Sequence, residues 1–205
     1  MINFIDDNIL NYSISKSEKE SKLLNDLYRE IYLKVLNPRM ISGHYQGRIL
    51  SLISKIISPK KILEIGTYTG YSAICLCEGM DKDGTLHTID NNKELVEIQN
   101  KYFKRANLKD KIVQHSGDAK NIIPSIDEEF DIVFIDLHMP VMGGKEATIE
   151  LRKMGYQGPI IALTAATMKG VKTELSALGF NDMIAKPVDS GLLYQVLNHY
   201  ICEGN

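Results

Sequence analysis

The spacing of apolar positions divides the chain into a helical first part and a second part of alternating strands and helices. Between residues 1 and 59, apolar residues recur at the spacing of one helix face. They are Leu24, Leu27, Ile31 and Val35, with Leu23 beside them. The stretch that begins at Ser15 offers a serine N-cap for this helix. Pro38 and Gly43 interrupt the pattern, and a second helix is predicted over Gln46–Ile57.

From Lys61 onwards, short runs of apolar and β-branched residues alternate with amphipathic stretches. Strands are predicted at Lys61–Ile65, Thr85–Asp90, Ile112–His115, Asp131–Asp136, Pro159–Thr164 and Asp182–Lys186. Helices are predicted at Tyr71–Glu78, Lys93–Ala106, Ala119–Ile123, Lys145–Met154, Lys169–Leu178 and Gly191–Tyr200. This alternation predicts a single three-layer α/β domain, doubly wound and Rossmann-like, with a mainly parallel sheet and right-handed crossovers. Residues 1–58 form its N-terminal helical extension.

Composition restricts the kind of partner. The chain has 205 residues, of which 44% are hydrophobic and 24% charged, and its formal net charge is -2. This balance predicts a soluble, cytoplasmic protein with no nucleic-acid or membrane partner. The N-terminal residues are acidic and lack a signal-peptide pattern. Cys75 and Cys77 lie two residues apart on a predicted helix, which favours reduced structural thiols over a shared zinc.

Three strand ends within residues 59–136 carry residues typical of a nucleotide-type crevice. Glu64–Ser72 combines a glycine-rich turn with a helix N-terminus, although its spacing is neither that of a P-loop nor that of a dinucleotide fingerprint. Asp90 ends the next strand, about 20 residues later, where an acidic side chain typically accepts ribose hydroxyls. Gly117–Ala119 follows the third strand, in position to border an adenine ring. The turn alone is as consistent with a structural role, but the three features together predict a cofactor crevice.

These residues make the first part of the chain, about residues 1–136, resemble the cation-dependent, caffeoyl-CoA-type O-methyltransferases, which use S-adenosylmethionine. The matching segments are Pro38–Arg48, Leu63–Ser72, His87–Asp90, Gly117–Ala119 and Phe134–Asp136. The resemblance implies binding of S-adenosylmethionine or S-adenosylhomocysteine, and a homodimer as the default assembly. The residues that it implies at the cofactor are Met40 and Ser42 at its border, Glu64 and Gly66 under its amino-acid part, Ser72 at its carboxylate, Asp90 at the ribose, and Asp118 and Ala119 at the adenine edge, with Tyr68, Gly70, Asn91 and Asp136 completing the set.

The chain departs from this family after the fourth strand. The family continues with an Asp-Lys pair, and a later strand ends in an Asp-Asn pair that completes a metal site. Here Asp136 is followed by Leu-His-Met-Pro, and the next strand reads Ile-Ile-Ala-Leu-Thr. A divalent cation such as Mg²⁺ requires several oxygen ligands, and only Asp136 remains as its implied ligand. Weak or no methyl transfer is therefore expected.

The second half, residues 131–205, resembles the flavodoxin-like receiver domains of response regulators, especially those attached to hybrid kinases. The matching segments are Asp136–Gly144, Ala162–Ala165 and Ala185–Pro187. In a phosphorelay this resemblance makes Asp136 the phosphorylated aspartate, Thr164 the hydroxyl that senses the phosphoryl group, and Lys186 its ion-pair partner. Receivers also carry two acidic residues after their first strand to hold Mg²⁺. The turn of residues 66–70 takes that place here.

The two resemblances meet at the strand that ends in Asp136. Joining them there predicts a six-stranded sheet of order 3-2-1-4-5-6. A splice at a shared strand indicates an engineered methyltransferase/receiver chimera, with natural recombination as the alternative. Four functions remain open: cofactor binding with weak or no catalysis, an active O-methyltransferase, a phosphorelay receiver, and a structural chimera without a ligand.

Overall fold

Six parallel strands form the centre of the molecule. The computed structural model describes residues 7–136, 144–164 and 171–185. The strands are β1 (Lys61–Ile65), β2 (Thr85–Asp90), β3 (Ile112–Ser116), β4 (Ile132–Asp136), β5 (Ile160–Thr164) and β6 (Asp182–Ala185). Their order is β3-β2-β1-β4-β5-β6, and each neighbouring pair is parallel. The predicted sheet order is thereby confirmed. Lys186, the predicted last residue of the sixth strand, lies outside the described residues.

Helices precede the sheet and connect its strands. They are α1 (Asp7–Lys16), α2 (Lys22–Lys34), α3 (Gly43–Ile57), α4 (Tyr71–Cys77), α5 (Val96–Arg105), α6 (Ala119–Ile122), α7 (Gly144–Lys153) and α8 (Val171–Ala177). Short 3-10 turns occur at Pro38–Met40, Lys93–Leu95 and Ile123–Ser125. The predicted helices between strands agree with these bounds to within a few residues, whereas the predicted helix Gly191–Tyr200 lies outside the described part of the chain. None of the helices described is long and apolar enough to cross a membrane.

The serine N-cap predicted within the stretch that begins at Ser15 was wrong. Ser15 lies inside α1, where its hydroxyl donates to the backbone carbonyl of Tyr12 at 2.6 Å. Ser21 caps α2 instead, because its side chain accepts a hydrogen bond from the backbone N–H of Leu24 at 3.3 Å. Two serines in one polar stretch offer the same capping chemistry, and only the position at which the chain reverses selects between them.

Helices pack on both faces of the sheet because alternate strand residues point to opposite sides. One core joins α2, α3, α4 and α5 to the sheet, and its strand members include Ile62, Leu86 and Ile132. The opposite core joins α6, α7 and α8 to strand residues such as Leu63 and Val133. The predicted apolar face of α2 is confirmed, since Leu24, Leu27 and Ile31 are fully buried.

Candidate cofactor crevice

A cavity of about 1020 Å³ opens at the carboxyl ends of β1 and β2. Its walls also include the segment after β3, the N-terminal residues of α5, and parts of α2 and α3. Ten of the twelve cofactor residues expected from the sequence line this one cavity: Met40, Ser42, Glu64, Gly66, Tyr68, Ser72, Asp90, Asn91, Asp118 and Ala119. The cavity is large enough for a nucleotide-sized ligand. The fold therefore brings residues separated by up to 79 positions to one place.

Gly70 is not part of the cavity wall. Its φ of +84° is in the left-handed region, and it precedes α4 as the N-cap residue. A Cβ atom added there would lie 2.5 Å from Cε1 of Phe103. The glycine therefore allows the turn to pack against a buried ring, which is a structural requirement rather than a contact with a ligand.

Polar contacts of Tyr68 fix the turn after β1. This residue has a φ of +48°, which is uncommon for a side chain of its size. Its backbone N–H donates to Oδ2 of Asp90 at 2.6 Å, and its carbonyl accepts from Nε2 of Gln99 at 2.6 Å. Its hydroxyl donates to the carbonyl of Asn37 at 3.2 Å. Such local backbone strain is typical of binding sites that the surrounding structure holds in place.

Asp90 connects the three strand ends that border the cavity. Its Oδ2 accepts from the turn after β1, and its Oδ1 accepts from the backbone N–H of Asn92 at 2.8 Å. Its own carbonyl accepts from the N–H of Gly117, in the segment after β3, at 2.9 Å. An ionised carboxylate has about four acceptor positions. Two positions of Asp90 therefore remain for hydroxyl groups of a ligand.

Glu64 places a buried carboxyl group in the floor of the cavity. The residue is 5% exposed, and its Oε2 accepts from Oγ1 of Thr88 at 2.6 Å. Burial raises the pKa of Glu64 to about 7, and the nearby charge of Asp90 acts in the same direction. The hydroxyls of Ser72 and Thr88 oppose this rise in pKa because they stabilise the charged form.

The adenine-edge residues expected after β3 have structural partners. The carboxylate of Asp118 caps α6 by accepting from the backbone N–H of Lys120 at 3.0 Å. Ala119 is buried in the core that faces α7 and α8. Both residues nevertheless line the cavity, so this segment forms part of its boundary.

Several wall residues were not predicted from the sequence. Glu30 of α2 accepts from Nζ of Lys101 at 2.6 Å and from the hydroxyl of Tyr102 at 2.8 Å. The hydrogen bond from Lys101 is the main reason why the pKa of Glu30 falls to about 2. Glu30 and Lys101 line the cavity, and so does Thr69. The Oγ1 atom of Thr69 is buried and has no hydrogen-bond partner within residues 7–136, 144–164 and 171–185.

The expected metal site cannot be assembled from the described residues. Among them, no three His, Cys, Asp or Glu side chains are grouped so that they could hold a metal ion. Asp136 ends β4, but its side chain lies outside the described part. Cys75 is buried and Cys77 half-buried, and both are free thiols, as predicted.

The receiver-type residues are placed only in part. Asp136 and Thr164 end the adjacent strands β4 and β5, with Asp136 in register with Leu163. Their side chains, and the whole of Lys186, lie outside the described residues. β1 separates β2 from β4, so Asp90 lies one strand further from Asp136 than the turn after β1 does.

The chain matches a family model and is also similar to proteins of two kinds, methyltransferases and signalling proteins. Residues 13–180 match the family model described as O-methyltransferase. Caffeoyl-CoA O-methyltransferase 1 of Zea mays is 30% identical over 154 residues, which are 72% of this chain and 58% of that protein. Hybrid signal transduction histidine kinase I of Dictyostelium discoideum is 40% identical over 93 residues, which are 43% of this chain and 5% of that protein. The chain spans about half the length of the methyltransferase relatives that it matches.

Two solved structures extend the comparison. The O-methyltransferase TomG from Streptomyces achromogenes, in complex with S-adenosylmethionine, is 30% identical with a TM-score of 0.57, over 62% of this chain and 58% of that one. The methyltransferase PaMTH1 of Podospora anserina, bound to S-adenosylhomocysteine, gives a TM-score of 0.70 over 99% of this chain and 88% of that one, at 19% identity. At that identity the second likeness concerns the fold alone.

Proposed function

Because the chain belongs to the O-methyltransferase family, we propose that its crevice binds S-adenosylmethionine and S-adenosylhomocysteine. The observation that carries this proposal is the convergence of ten expected cofactor residues on one cavity of about 1020 Å³. The S-adenosylmethionine complex of the Streptomyces achromogenes relative supports the same cofactor.

The polar groups of the cavity fit the two ends of such a cofactor. The buried carboxyl group of Glu64 suits the ammonium of the amino-acid part, and the Ser72 hydroxyl suits its carboxylate once it turns from Glu64 to the cofactor. The acceptor positions left on Asp90 suit the ribose hydroxyls. The Oγ1 atom of Thr69, which has no hydrogen-bond partner among the described residues, is a further polar atom in this wall. A buried hydroxyl without a partner is costly, which favours a polar ligand beside it.

When bound, S-adenosylmethionine supplies a methyl group activated by a sulfonium centre. The residues of the crevice bind and orient that cofactor: Glu64 fixes one end, Asp90 fixes the ribose, and Tyr68 holds the turn between them. We expect methyl transfer itself to be weak or absent. After Asp136 the chain lacks the Asp-Lys pair of the family, so the residues that would complete a Mg²⁺ site are not in the sequence at that point.

The decisive experiment is calorimetric titration of the purified chain with S-adenosylmethionine and S-adenosylhomocysteine, each with and without Mg²⁺. We expect micromolar affinity, about -8 kcal/mol, and no dependence on Mg²⁺. The absence of both heat and thermal shift would contradict the proposal and leave a scaffold without a ligand. A following assay with a catechol acceptor at saturating cofactor separates a binding protein from an active O-methyltransferase, because only the enzyme releases S-adenosylhomocysteine.

A second candidate function is phosphorylation of Asp136, which the likeness to a hybrid histidine kinase favours. Asp136 and Thr164 end neighbouring strands, as a carboxylate and a hydroxyl around one phosphoryl group must. The same likeness supports an origin from two sources, a methyltransferase and a receiver. Incubation with labelled acetyl phosphate tests the function: label on the wild type that is lost in Asp136→Asn supports it, and label that persists in the variant excludes Asp136 as the acceptor.

A further inference from the structure

Two buried threonines connect to Glu64 through a chain of short hydrogen bonds. Oγ1 of Thr88 donates to Oε2 of Glu64 at 2.6 Å, and Oγ1 of Thr67 lies 2.5 Å from Oγ1 of Thr88. Thr88 is fully buried and Thr67 is 3% exposed. Glu64 and Thr88 are neighbours in register on β1 and β2. The carboxyl group is therefore held by a hydroxyl that is itself held by a second hydroxyl.

We propose that Thr88, supported by Thr67, is a positioning residue that orients the Glu64 carboxylate toward the ammonium group of an amino-acid-bearing cofactor. This inference rests on the proposed function of the crevice. Thr88 has no exposed surface, so it acts through Glu64 and not by contact with the ligand. Thr67 lines the cavity, yet its hydroxyl is engaged with Thr88.

The direction of these hydrogen bonds determines how the two hydroxyls affect the ionisation of Glu64. A hydroxyl that donates to a carboxylate stabilises the ionised form, and an ionised carboxylate is the form that an ammonium group requires. With Glu64 ionised, Thr88 donates to it, and Thr67 can donate to Thr88 in turn. Bonds to a charged group in a buried site are worth more than bonds between neutral groups.

The groups around Glu64 make such support necessary. Asp90, at the end of β2, carries a negative charge that opposes ionisation of Glu64. On α4, the Cys75 and Cys77 thiols interact electrostatically with Glu64, and burial raises the pKa of each to about 12, so both are neutral near pH 7. Ser72 also favours the ionised form. The hydroxyl donors Ser72 and Thr88 therefore stabilise the ionised form of Glu64 against these effects.

If the role of Thr88 were purely structural, we would expect an apolar side chain of the same shape at this position. Valine has the same branched shape and fits a buried strand without a hydroxyl to satisfy. A buried hydroxyl costs free energy unless it is bonded. The hydroxyl of Thr88 makes its bond to a residue of the cavity, and this connects it with ligand binding.

The test compares Thr88→Val with Thr88→Ser by calorimetry at about pH 6 and about pH 8. The ligands are S-adenosylhomocysteine and 5′-methylthioadenosine, which has the adenosine part but no amino-acid part. Loss of one hydrogen bond to a carboxylate raises its pKa by about one unit. The pKa of Glu64 is about 7 in the wild type, so a rise of about one unit reduces the ionised fraction more at the lower pH. In Thr88→Val we therefore expect S-adenosylhomocysteine to bind about tenfold more weakly near pH 6 and about twofold more weakly near pH 8. The ratio of variant to wild-type Kd cancels the titration of the ligand itself.

Thr88→Ser keeps the hydroxyl and is expected to restore wild-type affinity, while 5′-methylthioadenosine is expected to bind all three proteins equally. An equal loss at both pH values, or an equal loss for both ligands, would overturn the inference, because packing alone predicts these results.

If Thr88→Val does not fold, Thr67→Val provides the same comparison with a smaller expected ratio. If the wild type binds neither ligand, the proposed function fails. NMR titration of Glu64 in wild type and Thr88→Val then decides the inference, which an unchanged Glu64 titration would overturn.

Discussion

The carboxylate of Asp90 and the backbone N–H of Tyr68 are joined by a hydrogen bond of 2.6 Å between the ends of neighbouring strands. Through this bond the side chain at the end of β2 determines the conformation of the turn after β1. Because Tyr68 has a left-handed backbone, the turn depends on such an external partner. One carboxylate thus shapes the crevice and presents acceptors to it.

Replacing Asp90 with alanine is expected to weaken binding of S-adenosylmethionine by about tenfold to 150-fold. The estimate follows from losing hydrogen bonds to a charged group, about 1.5–3 kcal/mol. Isothermal calorimetry measures the change in affinity. The matched control is Asp127→Ala, which removes an exposed aspartate, and we expect it to bind like the wild type. Unchanged affinity in Asp90→Ala would count against the crevice as the cofactor site.

Alanine substitutions at two glycines distinguish the cost of backbone strain from the cost of a steric clash in the free energy of unfolding. Gly70 and Gly155 have similar φ values of +84° and +89°. A Cβ on Gly70 would meet the ring of Phe103, whereas a Cβ on Gly155 would have no atom within 4 Å. We therefore expect Gly155→Ala to lower the free energy of unfolding by about 1 kcal/mol, and Gly70→Ala to lower it by a further 1–3 kcal/mol or so.

Urea denaturation of the two glycine variants measures this difference. A double variant, Gly70→Ala with Phe103→Leu, should recover part of the additional loss, because the smaller side chain leaves room for the new methyl group. Equal losses in Gly70→Ala and Gly155→Ala would show that the Phe103 ring moves aside without cost.

A pair of histidines is expected to make stability fall in mild acid. Nε2 of His115 lies 3.1 Å from Nδ1 of His87, and Nε2 of His87 lies 3.4 Å from a carboxylate oxygen of Glu128. Burial lowers the pKa of both histidines below the ordinary value of about 6.5. The unfolded chain therefore binds more protons than the folded chain as the pH falls below about 6.5, and the free energy of unfolding decreases.

His115→Gln isolates this effect, since glutamine can still donate to Nδ1 of His87 but does not titrate. We expect the free energy of unfolding of the variant to decrease less than that of the wild type between about pH 7 and pH 5. Denaturant titrations at several pH values give the two curves. Parallel curves would mean that protonation of His115 does not contribute to acid destabilisation.

The sheet and the crevice could be predicted from sequence because each rests on local signals. Buried strands are visible as short apolar runs, and parallel strands place Gly66, Asp90 and Asp118 at the same edge whatever the details of packing. The N-cap at Ser21 was not predicted, because the neighbouring serines share its chemistry. The position of a chain reversal depends on tertiary packing, which a short window of sequence does not contain.

The missed wall residues depend on contacts between distant parts of the chain. Glu30 and Lys101 are 71 residues apart, and their ion pair exists only because α2 packs beside α5. In the sequence each is an ordinary charged residue on a helix surface. The hydroxyl of Thr69, which lacks a hydrogen-bond partner in the described part of the chain, could not be predicted either, since threonine is common in a glycine-rich turn. Signals of this kind arise from packing and could not have been read from residue spacing.

Replacing Glu64 with glutamine is expected to stabilise the protein while it removes the proposed partner of the cofactor's ammonium group. The pKa of Glu64 is raised from 4.5 to about 7 by burial. Ionisation of the folded state is therefore unfavourable, and its cost to the free energy of unfolding grows between about pH 4.5 and pH 7. At about pH 8 the cost is on the order of 3 kcal/mol, and near pH 4.5 it is small.

Glu64→Gln avoids ionisation, so its gain in unfolding free energy over the wild type should be larger at pH 8 than at pH 5, whereas its affinity for S-adenosylhomocysteine should fall. Urea denaturation at the two pH values measures the first effect, and calorimetry the second. An equal change in stability at both pH values would show that the pKa of Glu64 is the same in the folded and the unfolded chain, so that burial does not oppose its ionisation.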